Sequence, residues 1–237
     1  MKPLFFVICA FVFVFSNCKK DKRQPDLTYN PEIKPENFSN STILSNPHFA
    51  MEMGKTYVSE GQSEEGKEHN EVKLTGETKV IQGITCIVVN DKVWLEGVLI
   101  EDTDDWFAQD DEGNVWYFGE AVDNYNNDGS FADHHGAWEA GVDGAKAGIV
   151  MPANPQVGIK FRQEYYFGEA EDQAEILETG LSVTVPFGTF TNCIKTHEWT
   201  ELEPDVNENK FFAPGVGLIK TVNVTDKEEY SLINIIE

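Results

Sequence analysis

Residues 106–120 read WFAQDDEGNVWYFGE: an aromatic run, an acidic turn that contains Gly113, and a second aromatic run. Aromatic and β-branched runs that are separated by turn residues predict two antiparallel strands joined by a short connection. Similar runs follow one another from Asn46 to the end of the chain, and we find no convincing amphipathic helix longer than about three turns. The sequence therefore predicts an all-β domain.

The same pattern returns about 105 residues later as FFAPGVGLIKTV, residues 211–222. Two further pairs of segments match in the same order: residues 46–61 match residues 154–168, and residues 83–87 match residues 188–194. We therefore expect two tandem repeats, residues 46–143 and residues 150–237, within a β domain of residues 46–237. Together they would form an antiparallel meander of about twelve strands, curled into a half-barrel, a barrel or a two-sheet sandwich.

The chain is strongly acidic: 18 Lys and Arg oppose 41 Asp and Glu, and the net charge is −23. Such a charge excludes electrostatic binding of nucleic acid, which needs basic residues to displace counterions from phosphates. A hydrophobic content of 41% and an aromatic content of 12% are too high for a disordered acidic chain. The length is sufficient for one large domain with a real core.

The N-terminus predicts export. Residues 4–15, LFFVICAFVFVF, form an apolar run that is too short to span a bilayer and is typical of a signal peptide, here residues 1–17. The run ends in FSNC, residues 15–18, which resembles a relaxed bacterial lipobox. We expect thioether lipidation and palmitate on Cys18; the alternative is an ordinary signal peptide with an incidental cysteine.

Residues 18–45 are predicted to be a lipid-anchored N-terminus followed by a linker rich in Pro, Asn and Ser. Lys19 follows the expected lipidated cysteine, and by the common bacterial sorting rule a residue other than Asp there favours the outer membrane. The predicted localisation is thus the bacterial envelope, with the membrane as a partner through the lipid anchor.

A metal site is a weaker prediction. Residues 93–145 contain fourteen acids and no Lys or Arg, and Asn124, Asn126 and Asp128 resemble the start of a calcium loop. His135 stands where the closing bidentate Glu should be, so the favoured interpretation is a hairpin turn with a solvated acidic rim. The neighbouring His134 and His135 suggest a transition metal, but no third ligand follows at a zinc-type spacing.

Cys86 and Cys193 occupy matching places in the two repeats. Outside the cytoplasm two thiols usually oxidise, which predicts a disulfide between them. The alternative is a pair of buried free cysteines that pack as small hydrophobes.

Enzyme motifs are absent from the sequence. It has no nucleophile elbow, no His-Glu-x-x-His, no phosphate loop and no dinucleotide fingerprint. We expect no catalytic residues and no enzymatic activity, and a hydrolase is the least favoured function.

Several segments resemble a family of uncharacterised bacterial secreted and lipid-anchored β-proteins. These segments are WFAQD (106–110), GNVWYFGE (113–120), GTFTNC (188–193) and FAPGVGLIK (212–220). The resemblance implies no catalytic residues, and it implies a fold similar to the half-barrel of lipoprotein-carrier proteins.

The expected function is that of a non-enzymatic binding or carrier module for an apolar or acylated ligand. The alternative is an acidic surface protein that binds a protein partner. In that case Ca²⁺ would assist the binding, and no other cofactor is expected.

Overall fold

The computed structural model describes residues 23–204 and residues 207–237. The expected signal segment and Cys18 lie outside the described residues. Within the described ranges, no helix is both long enough and apolar enough to cross a bilayer.

Strands make up most of the described chain, which has two helical turns of the 3₁₀ type, Pro35–Asn37 and Pro47–Phe49. The fifteen strands of the described residues are β1 Thr56–Ser63, β2 Gly66–Ile81, β3 Ile84–Leu95, β4 Val98–Gln109, β5 Val115–Tyr125, β6 Phe131–Asp133, β7 Trp138–Glu139, β8 Lys146–Met151, β9 Lys160–Arg162, β10 Glu164–Tyr165, β11 Gln173–Val185, β12 Gly188–Trp199, β13 Asn207–Ala213, β14 Gly217–Asn223 and β15 Glu229–Ile236. The predicted all-β class is confirmed. The excess over about twelve strands comes from β6, β7, β9 and β10, which have two or three residues each and leave no alternating pattern in the sequence.

The strands form one open antiparallel sheet. Thirteen of them follow the order β10-β8-β5-β4-β3-β2-β1-β15-β14-β13-β12-β11-β9, and the short strands β6 and β7 each pair with β5. Short turns connect most neighbours, as in a meander, and β1 pairs with β15 to join the two halves of the sheet. The edge strands β9 and β10 are consecutive in the chain, with Gln163 alone between them. This arrangement is consistent with the expected half-barrel.

The segments that match in sequence make matching pairs in the sheet. Ile87 of β3 lies opposite Phe107 of β4, and Ile194 of β12 lies opposite Phe212 of β13. All four side chains are buried. The two halves therefore share a strand register around these residues, which is the arrangement that tandem repeats would give.

Aromatic side chains fill much of the core. Phe107 and Tyr117 stack across β4 and β5 with ring centroids 4.9 Å apart. Phe49, from the second 3₁₀ helix, packs edge-on against Phe107 at 5.1 Å. Aromatic pairs in these geometries contribute about 0.5–1.5 kcal/mol beyond the burial of their area. The segment before β1 is thus part of the core.

The predicted linker is wrong for the part that the structure describes, residues 23–45. Phe38 and Leu44 are buried in the main core, and Phe38 packs edge-on against Phe118 at 6.0 Å. The Ser41 hydroxyl donates to the carbonyl of Thr85 on β3 at 2.6 Å. Prolines prevent regular strand pairing here, but single apolar side chains can still insert into the sheet from an irregular backbone.

The start of the described chain is also attached to the domain. Arg23 forms an ion pair with Glu171 at 2.9 Å, and the Tyr29 hydroxyl donates to the carbonyl of Ala147 at 2.8 Å. Four residues lie between Cys18 and Arg23, so these two residues are at most about 17 Å apart. A lipid on Cys18 would therefore hold the domain close to the membrane.

Candidate functional site

The buried face of the sheet changes from apolar to polar along β4 and β13. Thr103, Asp105 and Phe107 alternate along β4, so they share a face, and each is at most 2% exposed. On β13, Lys210 and Phe212 have the same relation, and both are buried. The interior of the sheet therefore has an apolar zone beside a zone of buried charged and polar groups.

A small apolar pocket opens in the apolar zone, between β1, β2, β13, β14 and the segment that follows the second 3₁₀ helix. Its volume is about 50 Å³. Most of the lining is apolar, and two residues bring polar side chains; the full set is Phe49, Met51, Tyr57, Ser59, Asn70, Val72, Phe212, Val216, Gly217 and Leu218. Pockets that are mostly apolar with a few placed polar groups are typical of sites for small ligands.

Asn70 connects this pocket to the polar zone. Its side chain is 2% exposed, and its amide nitrogen Nδ2 donates to Asp91 Oδ1 at 2.5 Å and to the carbonyl of Lys92 at 3.2 Å. Asp91 is itself buried on β3. A ligand in the pocket would therefore end against an amide whose hydrogen-bond partner is a buried carboxyl group.

Two more carboxyl groups face each other behind Asp91. Asp105 of β4 lies opposite Glu120 of β5, and each is 1% exposed. The hydroxyl of Tyr117 donates to Asp105 Oδ1 at 2.6 Å. Within the described part of the chain, Asp105 Oδ2 and both carboxyl oxygens of Glu120 have no hydrogen-bond partner. Buried acceptors of this kind are uncommon in folded proteins.

Local backbone geometry places Glu120. Its neighbour Gly119 has a φ of +126°, and a Cβ atom there would lie 2.2 Å from the carbonyl oxygen of Trp138. A glycine is therefore required for the close approach of β7 to β5. The pairing sets Trp138 opposite Glu120 and helps to exclude water from it.

Burial sets the protonation of this acidic group. It raises the pKa of Asp105 to about 7 and that of Glu101 to about 8. The pKa of Glu120 is raised well above its usual range, first by burial and then by the nearby Asp105. Burial also raises the pKa of Asp91, and Asp105 and Glu101 add to this effect. These groups favour the neutral form because burial disfavours the charged carboxylate, and Lys210, the cation that acts on Asp91, does not offset this effect.

The second half of the sheet contains a compensated cluster. Lys210 Nζ lies 2.9 Å from Glu198 Oε2 and 3.4 Å from Glu208 Oε2, and all three residues are buried. Burial acts to lower the pKa of Lys210, but the two glutamates overcome it, so that the pKa is raised. Gln163 and Thr196 also donate hydrogen bonds to Glu198.

The predicted disulfide is absent from the structure. Cys86 and Cys193 are both buried and both free. Cys86 lies on β3 and Cys193 on β12, and five strands separate these two in the order of the sheet. Burial raises the pKa of the Cys86 thiol to about 12 and also raises that of Cys193. Both thiols are therefore weak nucleophiles.

The candidate calcium residues lie in and beside the β5–β6 hairpin. Asn124 donates to Asp133 Oδ1 at 2.9 Å, Asn126 donates to Ser130, and Asp128 accepts from Ser130. The turn is thus closed by its own hydrogen bonds, and these residues are not arranged as one set of ligands.

Transition-metal ligation has no geometric support either. His134 Nδ1 lies 2.8 Å from Asp123 Oδ1 and 2.8 Å from the carbonyl oxygen of Val122. Across residues 23–204 and 207–237, no group of three or more His, Cys, Asp or Glu side chains is placed to hold a metal ion.

The buried carboxyl groups were missed by the sequence reasoning, which assigned the acids of residues 93–145 to a solvated rim. The signal was the strand alternation: Asp105 is two residues from Phe107, and Lys210 is two residues from Phe212. Residues two apart on a strand share a face, so each of these charged residues lies on the same buried face as its aromatic neighbour.

No family model matches the chain, and no curated protein matches it. Two solved structures are similar to it. One, from Bacteroides fragilis, is described as a presumed exported protein with a YmcC-like fold; it is 14% identical, covers 80% of this chain and 99% of its own, and gives a TM-score of 0.46. The other, from Parabacteroides distasonis, is described as a presumed lipoprotein; it is 14% identical, covers 81% and 99%, and gives 0.44. At this identity and TM-score, neither likeness assigns a function to this chain.

Proposed function

We propose that the protein is a non-enzymatic binding module of the bacterial envelope, anchored through a lipid on Cys18, whose pocket takes the apolar end of a lipid or of an acylated partner. The observation that carries the proposal is the apolar pocket between β1, β2, β13 and β14. The sequence of residues 4–18 supports the envelope, and Lys19 supports the outer membrane.

The pocket is bounded partly by segments that can be displaced without breaking the sheet. Phe49 belongs to a short 3₁₀ helix, Met51 lies in the irregular segment after it, and Val216 lies in the β13–β14 turn. Irregular segments open more readily than paired strands. A volume of about 50 Å³ is thus the closed state of a site that widens when an acyl chain enters.

The test is native mass spectrometry with 1-octanol as the probe. The protein is the chain from Cys18 onward, which contains every described strand and the whole described core. We expect the wild type to bind one 1-octanol molecule. Ser59→Phe should abolish binding, because Ser59 lines the pocket and a phenyl ring would fill it.

Ser182→Phe is the matched control, since it makes the same change at an exposed position of β11. It should bind as the wild type does. A wild type that binds no 1-octanol, or a Ser59→Phe variant that binds it unchanged, would refute the pocket as the site.

The anchor is tested separately with the full chain. In cells fed labelled palmitate, the wild-type protein should carry the label and the Cys18→Ala variant should not. A label that survives this substitution would reject Cys18 as the lipidated residue.

A further inference from the structure

The polar end of the pocket borders a region in which buried carboxyl groups outnumber buried cations. Asn70 lines the pocket, and its Nδ2 is bonded to Asp91. Asp91 pairs across the sheet with Thr103 of β4, and Glu101 and Asp105 lie two residues on either side of Thr103 along that strand. The pocket therefore ends at an amide that is surrounded, on the side away from the pocket, by carboxyl groups.

The cations near Asp91 are already engaged. Lys92, its neighbour on β3, forms an ion pair with Asp102 at 2.7 Å. Lys210 acts on Asp91 from across the interior, but it lies between Glu198 and Glu208. Neither lysine is placed to receive a negatively charged ligand at Asn70.

Buried carboxyl oxygens without hydrogen-bond partners lie in the same interior. Glu120 is 1% exposed, and both of its carboxyl oxygens lack a hydrogen-bond partner among the described residues. Asp105 Oδ2 also has no hydrogen-bond partner among the described residues. A cation beside one of these buried carboxyl groups would let it ionise and would give its oxygens a hydrogen-bond donor.

We propose that the ligand of the pocket carries a protonated amine at the polar end of its apolar chain, and that Asp91 and Asn70 receive this ammonium group. This inference rests on the proposed function, because it names the chemistry of a ligand in the same pocket. An ammonium group has three donors, no acceptor and a positive charge, so it can donate to the Asn70 side-chain carbonyl and to Asp91, whose ionised form a nearby cation favours. A carboxylate or phosphate at this place would meet buried carboxyl groups and would be disfavoured.

Octylammonium, octanoate and 1-octanol test the inference, because they share one chain length and differ in the charge of the head. Each is titrated by calorimetry into the chain from Cys18 onward, at about 0.15 M NaCl so that surface charge is screened. We expect octylammonium to bind at least about tenfold more tightly than octanoate, a difference of about 1.4 kcal/mol. The octanol affinity should lie between the two.

Two variants separate pocket binding from attraction to the acidic surface. Ser59→Phe should abolish binding of octylammonium, whereas ammonium held by the surface would survive it. Asp91→Asn should lower the octylammonium affinity to the level of 1-octanol and leave 1-octanol unchanged. Asp102→Asn is the control for Asp91→Asn: it removes a carboxylate that pairs with Lys92 and is 24% exposed, and it should change none of the three affinities.

The outcomes distinguish a failure of the ammonium inference from a failure of the proposed function. If 1-octanol binds but octanoate equals or exceeds octylammonium, the ammonium inference is overturned and the proposed function stands. If octylammonium binding survives Ser59→Phe, the inference is overturned as well. If none of the three probes binds the wild type, the proposed function fails and the inference fails with it. The wild-type comparison decides the question even if a variant does not fold.

Discussion

The two halves of the sheet place an acid and a base at the same position. In the first half Asp105 of β4 lies opposite Glu120 of β5; in the second half Lys210 of β13 lies opposite Thr221 of β14. Asp105 and Lys210 each directly precede the two aromatic residues and alanine that the halves share. The backbone pairing is common to both halves, but the charge that it buries is not.

This difference shows that register determines which positions are buried and leaves open how the buried charge is neutralised. In the second half, Lys210 neutralises Glu198 and Glu208 through ion pairs. In the first half no cation occupies the equivalent position, and the carboxyl groups are neutralised by keeping their protons. The second solution depends on pH, because a carboxyl group that keeps its proton loses it when the pH rises above its pKa.

The largest effect is expected from breaking the compensated cluster. Lys210→Met should lower the free energy of unfolding in urea at neutral pH by about 3–5 kcal/mol, because it leaves buried glutamates without a cation. Lys220→Met is the control: it removes a partly exposed pair with Glu229, at 2.7 Å, and should cost about 0–1 kcal/mol. Equal losses in the two variants would mean that the cluster is not a buried ion network.

The uncompensated half should make stability fall as pH rises. Asp105 has a pKa raised to about 7, so the folded state holds a proton that the unfolded state releases near pH 4. Its stabilising contribution is complete below pH 4 and is lost as pH rises through about 7. We expect a lower free energy of unfolding at pH 8 than at pH 5.

Asp105→Asn isolates this contribution. The amide cannot ionise, so the variant should be more stable than the wild type at pH 8, by at least about 1 kcal/mol, and should show a shallower pH dependence. Urea unfolding at both pH values measures the difference. An unchanged slope would show that Asp105 is not the group that titrates.

The two halves of the sheet are alike in the state of their cysteines. Cys86 and Cys193 are buried free thiols, so neither should react with iodoacetamide in the folded protein. Both should react after unfolding in urea without reductant, as read by mass spectrometry. Thiols that become reactive only after reduction would show that the protein does form the disulfide predicted from the sequence.

The smallest effect concerns Ca²⁺ at the β5–β6 turn. Millimolar Ca²⁺ should raise the melting temperature slightly by screening the acidic surface; Mg²⁺ should do the same, and about 0.15 M NaCl should remove most of the gain. A site at Asn124, Asn126 and Asp128 would instead give a Ca²⁺ preference that survives salt and disappears in Asp128→Ala.

Much of the fold could be predicted from the sequence, because alternation and glycine turns report directly on long antiparallel strands. The part at residues 23–45 could not, since Phe38 and Leu44 insert singly from an irregular backbone and leave no periodic pattern. The short strands β6, β7, β9 and β10 could not be predicted either, because two or three residues are too few to show an alternating pattern.

The site was less predictable. The expectation of an apolar ligand came from the concave sheet, but pocket residues such as Phe49 and Leu218 meet only in three dimensions. Cys86 and Cys193 match in sequence, yet the order of the sheet separates their strands. The buried acids could have been found from alternation alone, because Asp105 shares a face with Phe107.

The most direct test of the central claim, that an uncompensated acidic interior adjoins the pocket, is an NMR titration of the Asp and Glu side-chain carboxyl carbons. The account predicts that Asp105 titrates near pH 7 and that Glu120 titrates well above its usual range. It would be contradicted if both groups titrated near pH 4 with the carboxylates of the surface.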